Sequence, residues 1–478
     1  MNNTVGKSGL ATGTLGSAES IIMGIAGAAP AFSVAVTTAT IIAAVGELAV
    51  GSILYCGLIM FGIMLAFTHL NQRTPSAGAS YTWVGHAFGR SWGFFVGWGI
   101  LVASVLFMVS ATIPAATSTL LILYSMQDFL GINIAKSWID DTRWVALVAA
   151  CWLALITAIV CKGIKYSSYV QVIFTVIETV IVTALIVAGI VQYWHIPAHT
   201  PSWHWLSPTS FTPQTFAMGA LTAMFFYWGW DVTLNLSEES KQGESTKNLT
   251  KSSAANVGAF WSMVNLIIFF IIMMTVILIV LTDEEIIASN TNVLYAVAEK
   301  LFPHPWSHLA VLSTILSTIG TIETQILQFS RGLFAMSRDY ALHPRYAMIH
   351  PKWQTPWVAT LIIGGLGIVL LAASSTMTSV KTILDRSILT IGFHICFYMG
   401  LTGLACAWSC RDILKTGTIK NKVSQVLWPM CSGVLMLCLG AYLLPTFDTL
   451  SIVIAIGSLG IGIVPWWFAL QRNCTKNN

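Results

Sequence analysis

The sequence predicts an all-α integral membrane protein with twelve transmembrane helices, and three observations carry that reading. Hydropathy resolves twelve long apolar stretches along the 478 residues. The connections between them, numbered alternately, fall into two sets of very different charge. One set holds only Lys136, Arg143, Lys300, Lys381 and Arg386, while the other set and the termini hold the remaining 18 of the 23 Lys and Arg residues. Basic connections stay on the cytoplasmic side of a bilayer, so both termini are expected inside. Third, hydrophobic residues make up 56% of the chain and charged residues only 9%, too little charge to clothe a soluble protein of this size.

A span needs about 20 apolar residues to cross the hydrocarbon. The expected spans are Ser17–Val45, Val50–Leu70, Ser91–Tyr124, Arg143–Cys161, Ser167–Tyr193, Phe211–Leu236, Ala255–Leu281, Ser307–Met336, Pro356–Ala373, Asp385–Cys410, Val426–Leu443 and Leu450–Leu470. The connections are too short for a separate soluble domain. The net charge of +4 is then a topology signal and not a nucleic-acid footprint. No cleavable leader is expected, because Met1–Gly16 lacks a basic segment before a long apolar run. Cys56, Cys151, Cys396, Cys406, Cys431 and Cys438 lie within spans and no CxxC pair occurs, so neither disulfides nor a metal site is expected. The loop His195–Ser210, rich in Pro, Trp and His and free of charge, is expected to cap the outer surface at headgroup depth.

Two spans are interrupted. The first carries Gly24-Ile25-Ala26-Gly27-Ala28-Ala29-Pro30, where Pro30 removes a backbone donor among small residues. The sixth carries Gly219 and then Phe225-Phe226-Tyr227-Trp228-Gly229-Trp230-Asp231. Interrupted helices in matching positions of two inverted repeats frame a central site. Their separation by five spans fits a five-plus-five inverted repeat, residues 17–193 and 211–410. Two further helices occupy 426–470, and tails cover 1–16 and 471–478.

Four motifs then occur in order. Thr74-Pro75-Ser76-Ala77-Gly78-Ala79-Ser80-Tyr81 follows the second span. Gly229-Trp230-Asp231 leads to Ser237-Glu238-Glu239. Ser330-Arg331-Gly332-Leu333-Phe334-Ala335-Met336-Ser337-Arg338-Asp339 closes the eighth span, and Thr355-Pro356 opens the ninth. In these the chain resembles the amino acid–polyamine–organocation transporter superfamily, permease type, over at least Ser17 to Cys410. The resemblance implies a LeuT-like fold with broken helices 1 and 6. Ala29 stands where many members have the second glycine of a G-x-G, and Tyr340 stands where many have glycine.

A zwitterionic amino acid needs partners for both of its charges in a dry cavity. The amides of Ala26, Gly27, Ala28 and Ala29, at a helix break with its dipole behind them, suit a carboxylate. Exposed carbonyls near Ile22, Met23 and Phe225 to Trp228 suit an ammonium. Gly27 and Gly229 would let the ligand approach the main chain, and the resemblance places Phe225 and Trp228 on the pocket wall. Of 19 acidic residues, only Glu178, Asp231 and Glu323 lie well inside spans, with no Lys or Arg beside them. A carboxylate at bilayer depth costs several kcal/mol unless protonated, hydrated or paired, which makes these three the candidates for coupling and gating. The resemblance gives Asp231 the family's acidic position in span six. Glu178 stands where certain relatives place a lysine that replaces sodium. A sodium site between spans one and eight would use Ser317, Thr318 or Thr321. His394 reads as a packing histidine. Glu238 and Glu239, with Arg331 and Arg338, are placed to close an inner gate.

These residues lead to the expectation of a secondary active transporter of the plasma (inner) membrane. It would import an amino acid or related amine by alternating access, with a coupling proton, or sodium as the alternative, and no cofactor or nucleic acid. A polyamine or organic-cation substrate, an amino acid/amine exchanger, and a sensor or channel on the same scaffold are the other readings.

Overall fold

The fold follows from what a bilayer forbids. Backbone polar groups there must be bonded within the segment, so an apolar chain of this composition folds as helices. The computed structural model describes residues 9–127, 131–241, 253–377 and 379–474, and the charges expected at Lys7, Lys247, Lys251 and Lys476 lie outside them. Among the described residues the secondary structure is helical, with one isolated parallel bridge between Leu15 and Ser240.

Ten stretches are long and apolar enough to cross a membrane. The first, Ser17–Arg73, holds three helices: α1 (Ser17–Ala28), α2 (Pro30–Val45) and α3 (Ala49–Arg73). The short α4 (Ser80–Phe88) follows. Next come α5 (Arg90–Ser125), α6 (Thr142–Cys161) and α7 (Ile164–Tyr193). The sixth expected span is α8 (Pro213–Tyr227) and α9 (Val232–Asn235), each too short to cross alone. Beyond it lie α10 (Ala254–Val280), α11 (Asp283–Ser289), α12 (Val293–Leu301), α13 (His308–Arg338), α14 (Trp357–Ser374), α15 (Val380–Ser409), α16 (Trp428–Leu443), α17 (Thr449–Ile461) and α18 (Ile463–Cys474).

The layering places the site. Helices α2, α8, α9 and α13 are buried along most of their length and α1 along its second half, whereas α7, α14 and α17 turn long apolar faces outward. Val176, Val180, Val187 and Val191 on α7 form one such face, suited to lipid. The breaks therefore sit at the centre, ringed by helices that meet the bilayer. One face carries the connections that hold Arg90, Arg338, Arg345 and Lys420, and it is called the basic face below.

Candidate functional site

The first break is local chemistry made visible. Helix α1 ends because Ala29 takes a left-handed conformation, φ 47°, and Pro30 begins α2 with no N–H to donate. The second break comes at Trp228, which is extended, and Gly229, at φ 110°, a conformation side chains rarely adopt. The two breaks touch. A Cβ added to Gly27 would lie 2.2 Å from the Gly229 carbonyl oxygen, and one added to Gly229 would lie 2.2 Å from that of Gly27. Glycine is required on both sides of this contact.

The donors at the first break lie further along than the sequence suggests. Ala26, Gly27 and Ala28 are still within α1, and the Ala29 amide donates back to Ile25 and Ala26. Proline is the reason: the second half-helix starts at Pro30, so its unbonded amides are those of Ala31 and Phe32. Both are occupied. Ala31 N–H donates to Glu178 Oε1 at 2.8 Å, and Phe32 N–H donates to Ser317 Oγ at 3.2 Å. Ser317 in turn donates to the same Glu178 oxygen at 2.7 Å. Glu178 from α7 thus caps the positive end of α2, where a negative charge is stabilised. A small cavity of about 80 Å³ beside Glu178, lined also by Ile25, Pro30 and Asn265, opens next to this cap.

Of the three hydroxyls considered for sodium, two meet the broken helix. Thr321 donates to the Gly27 carbonyl at 2.8 Å and Ser317 binds the α2 cap, while Thr318 bonds its own backbone at Thr314.

Asp231 lies just past the second break, 1% exposed, in a chain of buried groups. Its Oδ2 accepts from Gln328 Nε2 at 2.8 Å and from Tyr398 OH at 3.0 Å, and Tyr398 OH accepts from Trp228 Nε1 at 2.7 Å. Asp231 Oδ1 and Gln328 Oε1 are buried with no hydrogen-bond partner among the described residues. Such orphans demand an explanation, and a bound donor is one. Gln328 and Tyr398 escaped the sequence reading because they stand 97 and 167 positions from Asp231. The only hint was a polar residue in an apolar helix.

Toward the opposite face, Phe32, Phe107, Phe225 and Trp228 pack as one cluster, with Phe107 edge-on to Trp228 at 5.1 Å and 5.9 Å from Phe225. All four are buried. Toward the basic face, Arg331 grips Glu239 with two bonds of 2.9 Å, both side chains fully buried, and Arg338 grips Glu238 at 3.0 and 3.1 Å. Glu238 also accepts from the Ala77 amide at 2.8 Å. The expected ion pairs exist, Arg331 with Glu239 and Arg338 with Glu238.

The structure does not bring Glu323 to Asp231. Glu323 is buried three residues beyond Gly320, the residue that Gln171 of α7 packs against, and its Oε1 lacks a partner among the described residues. His394 packs as expected, bonded to the Thr390 carbonyl at 2.8 Å and to Ser458 at 3.1 Å.

Comparison with known proteins agrees with this architecture. A family model described as amino acid permease matches residues 14–470. The serine/threonine exchanger SteT of Bacillus subtilis (strain 168) is 23% identical over 326 residues, 67% of each chain. The large neutral amino acids transporter small subunit 2 of Oryctolagus cuniculus is 25% identical over 75% of this chain and 62% of its own length. The vacuolar cationic amino acid transporter 2 of Arabidopsis thaliana is 23% identical over 70% of this chain and 52% of its own. The matches thus span about half to two thirds of these relatives' lengths. With a family model covering nearly its whole length, the chain belongs to the amino acid permease family.

Proposed function

We propose that this protein is a secondary active transporter that moves an amino acid or related amine across the plasma membrane by alternating access. The relatives named above are transporters and an exchanger of amino acids, and the family fits that role. Twelve crossings, with α1–α2 and α8–α9 as the broken first and sixth, give a five-plus-five repeat whose basic face, with both termini, is cytoplasmic.

The observation that carries the reading is the contact of the two breaks, Gly27 against Gly229, beside a buried Asp231 with an unbonded oxygen. The substrate lodges beside this contact, against Ala26, Gly27, Ala28 and Ala29 of the first break and Phe225, Trp228 and Gly229 of the second. Its ammonium goes toward Asp231 Oδ1 and Gln328 Oε1, which are acceptors in need of a donor. Phe225 and Trp228 close above it. Arg331–Glu239 and Arg338–Glu238 close below it and part when the site opens inward.

Coupling is assigned to protons. Glu178 bridges α7, α2 and α13 through one carboxylate oxygen, so a change in its charge alters the bond that holds the moving half-helix to its neighbours. Asp231 gates, and Glu323 serves the same route on the α7–α13 side. Sodium at Ser317 and Thr321 is the alternative ion.

A second reading, exchange of an amino acid for its amine, has one observation in its favour. Glu178 and Ser317 already occupy the α2 amides that a substrate carboxylate would seek. A ligand lacking a carboxylate need not compete for them.

Uptake of a labelled panel of amino acids and polyamines into proteoliposomes, with and without an inward proton gradient, tests both. Gradient-driven accumulation establishes coupled import. Uptake only against preloaded amine or amino acid establishes exchange, and silence in both from folded protein removes the transport reading.

A further inference from the structure

Away from the central site, a recess and a cleft meet on the basic face. The recess, of about 760 Å³, is lined by Tyr81, Thr82 and His86 of α4, Arg90 of α5, and Arg338 and Asp339. The cleft, of about 670 Å³, is almost wholly apolar and runs between α5, α13, α14 and α18, with Trp98, Leu101, Phe329, Ile362 and Phe468 on its walls. Ala341 belongs to both. Helix α18 stands between them, turning Pro465 and Phe468 to the cleft and Trp466 and Leu470 to the recess.

Charge and depth say what fits. Arg90 is exposed and has no ion-pair partner among the described residues. Arg338 is held by Glu238, and Asp339, the one acid in the lining, lies 3.9 Å from Arg338. Arg90 is thus the cation of this lining that no acid engages among the described residues, and His86 belongs to the same lining. Trp92 and Trp467 are about half exposed beside them, and tryptophans of this kind mark the bilayer–water boundary. A basic recess at that depth, continuous with an apolar cleft between helices, has the chemistry of a lipid with a charged head.

We propose that this recess and cleft bind an anionic glycerophospholipid from the leaflet on the basic face. Its phosphate sits at Arg90 and His86, and an acyl chain lies in the cleft against α5 and α18. The cleft walls belong to α5, α13 and α14, so the lipid wedges the last helix against the helices that surround the site.

The test uses the purified full-length chain in detergent, with bound lipid counted by native mass spectrometry. Dioleoyl phosphatidylglycerol is offered against dioleoyl phosphatidylcholine, which has the same tails. The expected result is retention of phosphatidylglycerol about fivefold above phosphatidylcholine, the discrimination one basic group gives near a membrane surface. Arg90→Ala with His86→Ala should bring the ratio to about one. Lys420→Ala with Lys422→Ala, which removes one exposed and one half-buried charge elsewhere on the same face, should leave it unchanged. Leu101→Trp, which fills the cleft, should lower retention of both lipids. Should the double variant fail to elute as a single folded species, Arg90→Gln is measured alone, with a twofold or greater loss of preference expected. The proposal is overturned by equal retention of the two lipids in the unaltered protein, or by equal loss in the Lys420/Lys422 control. It is also overturned by displacement of phosphatidylglycerol by soluble glycerol 3-phosphate, which would make the recess a site for free anions, or by unchanged retention in Leu101→Trp.

Discussion

Gly229 at φ 110° and Gly27 pressed against its carbonyl are two positions at which one methyl group decides the outcome. Gly229→Ala forces a left-handed conformation on an L side chain and drives a Cβ into the Gly27 carbonyl. A cost of about 1–3 kcal/mol is expected from the backbone alone. The variant should insert in the membrane yet lose uptake, checked by uptake alongside a thermal melt; uptake at the unaltered rate would mean that the breaks do not need to touch. Asp231 makes a different kind of prediction. Asp231→Asn keeps an acceptor for Gln328 and Tyr398 but cannot change charge and turns an amide donor toward the place of Oδ1, so gradient-driven accumulation should vanish while expression stays intact. Full accumulation by that variant would take Asp231 out of the coupling step.

At the scale of the element, helix ends and helix pairs carry the energetics. The buried Arg331–Glu239 pair ties the end of α13 to the turn after α9. Arg331→Ala strands a carboxylate in the interior, for which a loss of about 3–5 kcal/mol is expected. Arg338, one third exposed, should cost less than about 1 kcal/mol when replaced by Ala, since water screens its pair with Glu238. Denaturation of the two variants in one detergent checks the order, and a reversed order would place the main inner fastening at Arg338. Glu178 caps α2, and Glu178→Gln preserves an oxygen for Ala31 and Ser317. Stability should stay within about 1 kcal/mol while the response of uptake to external pH flattens. A pH profile unchanged by Glu178→Gln would leave sodium at Ser317 and Thr321 as the better account.

For the whole molecule, the proposed orientation of the bundle rests on the distribution of charge. A membrane-impermeant maleimide applied to intact cells should label Arg143→Cys and spare Lys420→Cys, and inverted vesicles should give the converse. The same pattern on both sides of the membrane would break the topology on which the inward-facing gate depends. Tertiary packing adds what no single helix has. Residues Thr14 and Leu15 bond the Glu239 carbonyl, Lys241 bonds Leu15 in return, and Leu10 is buried against Ala77 and Phe334. The start of the chain is thus stitched beside the Arg331–Glu239 pair, and under the proposed gating it shifts when that pair parts.

Some of this was determined by the sequence alone. Apolar length and the sidedness of Lys and Arg depend on one-dimensional composition, and the bilayer reads composition directly, so spans and breaks could be placed from residues such as Pro30 and Gly229. The acidic residues at depth stood out for the same reason, because Glu178, Asp231 and Glu323 are costly wherever they point. Only the tertiary structure decided what each of them touches. Glu178 meets the Ala31 amide directly and Phe32 by way of Ser317, Asp231 meets Gln328 and Tyr398, and Glu323 is buried with Oε1 unbonded among the described residues. Those partners lie on helices far apart in the chain, and rotation about a helix axis, set by packing against all neighbours at once, chooses which side chains meet. A local sequence window contains no record of that choice.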